Sequence, residues 1–280
     1  MFNRLYIQIR DFQLYVDEQI RVNGFLPESV VNMDETNVDF DTKTGETYDY
    51  QGAKTVNHTT TGSSMRATII LAVTKSGEKL PPFLIFKGTP GGRIHREWTK
   101  AGNTYPPGIV YTVQKKAWCD HSLMLQWITS VWQPFAANHE QSYLMYDSFK
   151  AHLMGDVIRK IQKERTEVDI IPPGYTGRLQ VCDVSINKPF KDAMRDEYEK
   201  WMLVEGNDKV SRLNVATWCA AAWDAISVPT IVNGWRKCID DVLPLPVDNP
   251  DQDEEVPEPE PEYGIDPEDD EDSENDEDYD

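Results

Sequence analysis

The sequence predicts a mixed α/β fold, a sheet flanked by helices, followed by a solvated acidic tail. Three observations carry this. Short β-branched or apolar runs recur at 30–34, 66–74, 80–86, 109–113, 142–146 and 168–171. Helical stripes interrupt the later runs but not the earlier ones, giving strand, hairpin, strand, helix, strand, helix, strand, helix, which is a mixed pattern rather than strict alternation. From Leu243 onward Pro becomes frequent, apolar residues vanish and acids run together.

Taken in order, residues 4–22 place Leu5, Ile9, Phe12, Val16 and Ile20 at three- and four-residue spacings, which predicts a helix packed on one side. The run 30–34 is a short strand ending on Asp34. RATIILAVT at 66–74, the turn residues Lys75-Ser76-Gly77-Glu78 and the run 80–86 predict a hairpin. Asp120 caps a helix whose Leu123, Trp127, Ile128, Val131, Trp132 and Phe135 form a stripe, and the strand 142–146 then ends at Asp147. A helix at 153–165, a strand at 168–171 and a loop at 172–177 follow. Asp183 stands just before a helical run at 189–204, and helices near 213–226 and 229–240 carry Trp218, Trp223 and Trp235 as core anchors.

The 280 residues carry a net charge of −20, from 48 acids and 28 bases. Residues 248–280 hold 19 of those acids and no Lys or Arg, so the rest of the chain has 29 acids against 28 bases. The low overall isoelectric point therefore says nothing against a nucleic-acid partner for the folded part. With 39% hydrophobic residues and eight Trp, wholesale disorder is excluded. Cys119, Cys182, Cys219 and Cys238 stand singly, which indicates neither a zinc knuckle nor a disulfide scaffold. No run of eighteen apolar residues occurs, so the chain reads as soluble and intracellular, with no membrane partner. In that setting the sequon at Asn57 carries little weight.

Carboxylates mark three places in this pattern. Asp34 and Asp147 end strands, and Asp183 precedes a helix. Reactive groups in open α/β sheets gather at the C-terminal strand edge, so adjacent central strands would set Asp34 beside Asp147. Two buried carboxylates repel unless a cation neutralises them, and oxygen-only ligands favour Mg²⁺ or Mn²⁺. A third Asp would complete a two-ion site suited to in-line phosphoryl displacement. Singly, each Asp is better read as an ordinary strand end or helix cap, since Asp is common at both.

The surrounding words narrow the choice. Val31-Asn32-Met33-Asp34-Glu35-Thr36, Leu80-Pro81-Pro82-Phe83-Leu84-Ile85-Phe86-Lys87-Gly88, Asp147-Ser148-Phe149-Lys150-Ala151-His152-Leu153, Pro172-Pro173-Gly174-Tyr175-Thr176-Gly177-Arg178-Leu179-Gln180 and Asp183-Val184-Ser185-Ile186-Asn187-Lys188-Pro189-Phe190-Lys191 stand in that order. Together they resemble the DDE endonuclease domain of pogo and Tigger-like transposases, the relatives of centromere protein B. The resemblance implies an RNase H-like fold, DNA strand cleavage and joining with two Mg²⁺ or Mn²⁺ ions, DNA as partner, possible homo-oligomers on DNA and a nuclear location. It maps the catalytic and metal-binding acids onto Asp34, Asp147 and Asp183. The family's Gln-Pro-Leu-Asp is here Gln180-Val181-Cys182-Asp183, which loses a Pro that would stiffen the turn. Such transposases find their terminal repeats with helix-turn-helix domains. Only 33 residues precede Asp34, so that DNA-reading domain is expected to be absent from this chain.

Secondary candidates follow. Glu35 would point away from Asp34 and is expected to be solvated or loop-bonded rather than a ligand. His152 matches a recurrent histidine of the family and is a candidate for the scissile phosphate or for a structural helix start. Lys188 and Lys191 share a helix face and are candidates for the DNA backbone, as are Lys87, Arg93 and Arg96 in the densest basic loop, where Trp98 is a candidate base-stacking platform. The expected organisation is a helical lead-in over 1–28, the endonuclease domain over 29–245 and a disordered acidic tail over 246–280. The expected function is Mg²⁺-dependent DNA cleavage and transfer, with a domesticated, catalytically silent DNA-binding or protein-association domain as the alternative.

Overall fold

Strand β1 (Val30–Asp39) is the axis of the architecture, because the sheet changes character on either side of it. In the computed structural model, which describes residues 2–40, 65–204 and 209–244, six strands lie in the order β4-β3-β2-β1-β5-β6. On one side β1, β2 (Arg66–Thr74) and β3 (Phe83–Lys87) run antiparallel, and β4 (Val110–Gln114) joins β3 in parallel. On the other side β5 (Ser142–Tyr146) and β6 (Thr166–Ile170) are parallel to β1 and to each other. The mixed sheet flanked by helices is therefore present, with the hairpin where the sequence placed it. β3 starts only at Phe83, since Pro81 and Pro82 have no N–H to give a ladder.

Alternation along the strands feeds two cores. Val31, Met33, Ile70, Ala72, Leu144 and Tyr146 face α3 (His121–Trp127), its π-helical continuation Ile128–Trp132, α4 (Gln133–Ala136) and α5 (Gly155–Gln162). Val30, Ile69, Leu71, Val73, Tyr143 and Met145 face the other layer. That layer comprises α1 (Phe2–Asn23), α7 (Asn187–Met202), α8 (Arg212–Ala225) and α9 (Val228–Trp235), the last continued by a π-turn, Arg236–Asp240. Trp127 and Trp132 stack with centroids 6.1 Å apart, and Trp235 is fully buried. Truncating any of these to Ala costs about 3–5 kcal/mol. The cap at Asp120 is real: its side chain accepts from Leu123 N at 3.0 Å. The lead-in helix α1 is tied to the other end of the domain by Gln13, whose Nε2 donates to Cys238 O at 2.9 Å.

Several boundaries differ from the sequence reading. β1 does not stop at Asp34. It runs to Asp39 because β2 pairs with it over nine residues, from Val31↔Thr74 to Asp39↔Arg66, so Asp34 lies in mid-strand. The helix expected at 153–165 is only Gly155–Gln162, since Met154 is extended and Arg165 takes a positive φ of 53°. Two one-turn helices, α2 (Arg96–Thr99) and α6 (Thr176–Leu179), replace stretches read as loop. Asp183 does not precede its helix but lies inside it, in a π-turn, Cys182–Ile186, that leads directly into α7. The sequon and the acidic tail lie outside the described residues. Among the described residues no single helix is long and apolar enough to cross a membrane.

Candidate carboxylate site at the sheet edge

The parallel register Val30↔Tyr143 to Asn32↔Met145 ends just short of Asp34 on β1 and of Asp147 after β5, and Asp147 lies near enough to act on the charge of Asp34. Asp147 begins the loop after β5, where its Oδ1 accepts from Phe149 N at 3.3 Å and shares a 2.7 Å hydrogen bond with His152 Nδ1. Asp183 reaches the same place from the helical layer. Its carboxyl lies beside that of Asp34, and Asn187 Nδ2 donates to both, at 2.6 Å to Asp34 Oδ2 and 2.9 Å to Asp183 Oδ1.

A buried amide network holds the π-turn against β1. Asn32 Nδ2 donates to Met145 O at 3.0 Å and also to Gln180 Oε1. Gln180 Nε2 donates to Met33 O at 3.0 Å, and Cys182 N donates to Asn32 Oδ1 at 3.0 Å. Two side chains that are wholly enclosed thus bind β1, β5 and the turn, and Asp183 is one residue from the last of these bonds. On the far side, Gly234 lets α9 come close: a Cβ there would sit 2.8 Å from Ser185 Cβ. A π-turn adds a residue per turn and is common where a helix must present a functional side chain.

The electrostatics follow from burial. Asp34 is 6% exposed, and desolvation, the Asp183 carboxyl beside it and, last, Asp147 push its pKa well above the usual carboxylate range, although Asn187 opposes this. Asp34, buried beside a second carboxyl, therefore resists ionisation in the absence of a cation. His152 is 1% exposed. Burial alone would lower its pKa, but hydrogen bonds to Asp147 and to Glu35 (Nε2 to Oε1, 3.1 Å) outweigh that and raise it to about 10. The ring is therefore a buried imidazolium that links the loop after β5 to β1.

Each candidate residue can now be placed. Asp34 and Asp183 are neighbours bridged by Asn187, and Asp147 lies near enough to act on the charge of Asp34. Among the described residues, however, no group of three or more His, Cys, Asp or Glu side chains is gathered closely enough to hold a cation as it stands. Glu35 faces the other way, as strand alternation requires, and is bonded by His152. Both ring nitrogens of His152 are engaged and its surface is enclosed, so as placed it does not offer itself to a phosphate. Lys188 and Lys191 are exposed on the first turn of α7, but Lys188 pairs with Asp192 at 2.8 Å. Lys87, Arg93 and Arg96 are exposed at the C-terminal end of β3, at the same sheet edge but two strands from β1. Trp98 is not an open platform, because its ring lies against Phe86, His95, Tyr105 and Tyr111 at centroid distances of 5.7–5.8 Å. The sequence reading missed Asn187, Asn32 and Gln180. The resembling blocks contained all three, but buried amides carry no spacing signal of their own.

A mixed six-strand sheet with β1 between its parallel and antiparallel parts, flanked by helices, is an RNase H-like architecture. Comparison with known proteins agrees. Residues 64–235 match the model of the DDE superfamily endonuclease, and the chain belongs to that family. It is 32% identical over 231 residues to a mouse protein described as a pogo transposable element with KRAB domain, an alignment covering 78% of this chain and 36% of the relative. The human counterpart is 31% identical over the same shares. The chain therefore spans about a third of the length of these relatives. Among solved structures, the Mos1 transposase paired-end complex with left transposon end superposes with a TM-score of 0.53 at 13% identity, covering 85% of this chain and 62% of that one. A pre-cleavage Mos1 transpososome gives 0.52 at 12% identity, covering 85% and 63%. At such identities the likeness is one of fold, and that fold is the RNase H-like one.

Proposed function

We propose that this domain cleaves DNA strands with the aid of divalent cations held by Asp34, Asp147 and Asp183, and that it acts in the nucleus as an oligomer on DNA. The observation that carries the reading is the buried Asp34 with the exposed Asp183 beside it and Asp147 near enough to act on its charge: three oxygen-only ligands from a strand, the loop after a second strand and a helix, one of them an acid whose ionisation is costly until a cation arrives. That donor set fits Mg²⁺ or Mn²⁺, and would fit zinc poorly. Bound there, two such ions would polarise a phosphodiester and lower the pKa of an attacking water or 3′-hydroxyl.

The chain's own residues supply the rest. Asp34 projects from β1, and Asp147 stands at the first position after the neighbouring strand β5, held by Phe149 N and His152. Asp183 is brought to Asp34 by the amides of Asn32 and Gln180. His152 fixes the rotamer of Asp147 by donating to it and is itself held by Glu35. The exposed Lys191, Lys188, Lys87, Arg93 and Arg96 are suited to guiding a phosphate backbone to this edge.

A second reading, a domesticated module that binds DNA or protein without cutting, is favoured by the absence of a ready-formed cluster among the described residues. Nicking of plasmid DNA in Mg²⁺ or Mn²⁺ separates the two. The endonuclease nicks, and Asp147→Asn, nearly isosteric but uncharged, abolishes nicking while leaving the melting temperature within a few degrees. If wild type binds DNA and metal yet is as inert as the variant, the silent module replaces the enzyme.

A further inference from the structure

Asn187 is the residue of this site that no acid triad accounts for. It is 8% exposed, on the first turn of α7 and four residues after Asp183, so the two side chains share a helix face. Both hydrogens of its Nδ2 are spent on Asp34 and Asp183. Its Oδ1 is buried and has no hydrogen-bond partner. A buried amide oxygen left unpaired is rare in a folded protein and calls for a reason.

Resting on the cation-site reading above, we propose that Asn187 is a switching carboxamide: Nδ2 holds Asp34 and Asp183 together in the cation-free protein, and Oδ1 joins the acids as a further oxygen ligand when a divalent cation is bound. The orientation seen is the only one two carboxylates tolerate by themselves, since the reverse would aim a carbonyl dipole at two acceptors. A cation between the carboxylates inverts that preference, because amide hydrogens repel it and an amide oxygen is a ligand that hard cations accept. A half-turn about the last side-chain torsion exchanges the two atoms. That torsion is broad and roughly two-fold in Asn, so no backbone movement is required. The half-turn also exchanges one unpaired buried atom for another. What lies between the carboxylates therefore decides which way the amide faces.

The test is Mn²⁺ binding by the full chain, followed by calorimetry and by the number of waters on the bound ion, counted by magnetic resonance in ¹⁷O-water. Asn187→Ala should bind Mn²⁺ at least tenfold more weakly and should show one more inner-sphere water than wild type. Asn187→Ser, whose hydroxyl is too short to reach, should do the same and serves if the alanine variant does not fold. Weaker binding with an unchanged water count would mean that Asn187 only positions the acids, and overturns the ligand role. Unchanged affinity and water count overturn the proposal altogether while leaving the three-acid site standing. A wild-type chain that binds no Mn²⁺ overturns the cation site and this inference together.

Discussion

Gly234 joins the packing of the helical layer to the placement of Asp183. A Cβ at this position would lie 2.8 Å from Ser185 Cβ, 3.1 Å from Ser185 Oγ and 3.1 Å from Val181 Cγ1. Ser185 Cβ is attached to the backbone and cannot swing aside, so Gly234→Ala must push α9 and the π-turn apart by several tenths of an ångström. Replacing a helical glycine by alanine gains roughly 1 kcal/mol of helix propensity. Overpacking a tight core contact costs roughly 1–3 kcal/mol. A 2.8 Å approach to a fixed atom belongs in the upper part of that range, leaving a net loss of about 1–2 kcal/mol. For a domain of this size that is roughly 2–8 °C in melting temperature. Urea unfolding followed by tryptophan fluorescence measures it, and Ser185→Gly in the Gly234→Ala background should recover the contact part, with a coupling of about 1 kcal/mol or more. The cation-induced rise in melting temperature should shrink as well, because the displaced turn carries Asp183. A variant more stable than wild type by about 1 kcal/mol, with no coupling to Ser185, would refute the close approach.

Val181→Pro should be tolerated and add about 0.4–1 kcal/mol, since Val181 already has a φ of −59° and Gln180 before it is extended with a ψ of 106°; a fall in melting temperature would contradict this. Gln180→Leu should cost about 2 kcal/mol or more by stripping Met33 O of its donor and Asn32 of an acceptor, both inside the core, and a loss below about 0.5 kcal/mol in urea unfolding would show that the amide network does not hold the turn. Asp34→Asn should raise the melting temperature of the cation-free protein, because it replaces a buried acid with a neutral amide able to donate to Asp183. The same variant should lose the cation-induced stabilisation that wild type shows, and a melting temperature that falls without cation would refute the strain assigned to Asp34.

How much of this was legible in the sequence depends on the range over which each signal acts. The six strands and the long helices show in local periodicity, and Asp120 announces its helix start by ordinary capping chemistry. Asp34 was legible as a residue but not as a position. Nothing within five residues says that β1 continues to Asp39, because that extension is imposed by pairing with β2, whose Arg66 lies 27 residues further on. The π-turn at Asp183 was read as a helix that starts later, since Pro189 looks like a first-turn residue. It is instead accommodated in α7 two residues after Asn187, whose N–H and neighbours are already in the helical segment. His152 could be singled out by resemblance, but its enclosure between Glu35 and Asp147 is a contact between elements 117 residues apart and has no local trace.

The long β1 and the short β5 together explain why the site is where it is. β5 stops pairing at Met145 opposite Asn32, while β1 goes on for seven more residues. On the β5 side, β1 therefore presents backbone groups past Asn32 with no strand to receive them. Buried groups of that kind must be paired by something else. Gln180 donates to Met33 O and takes the place of the missing strand, and the π-turn follows it into the gap. Asp34 is the next residue along β1 with its side chain on that same face, so the segment that satisfies the open edge also delivers Asp183 and Asn187 to it. A β5 extended by two residues would close the edge by ordinary pairing, leave Gln180 without its acceptor and shut Asp183 out of contact with Asp34. The early end of β5 is in this sense what makes room for the carboxylates to meet.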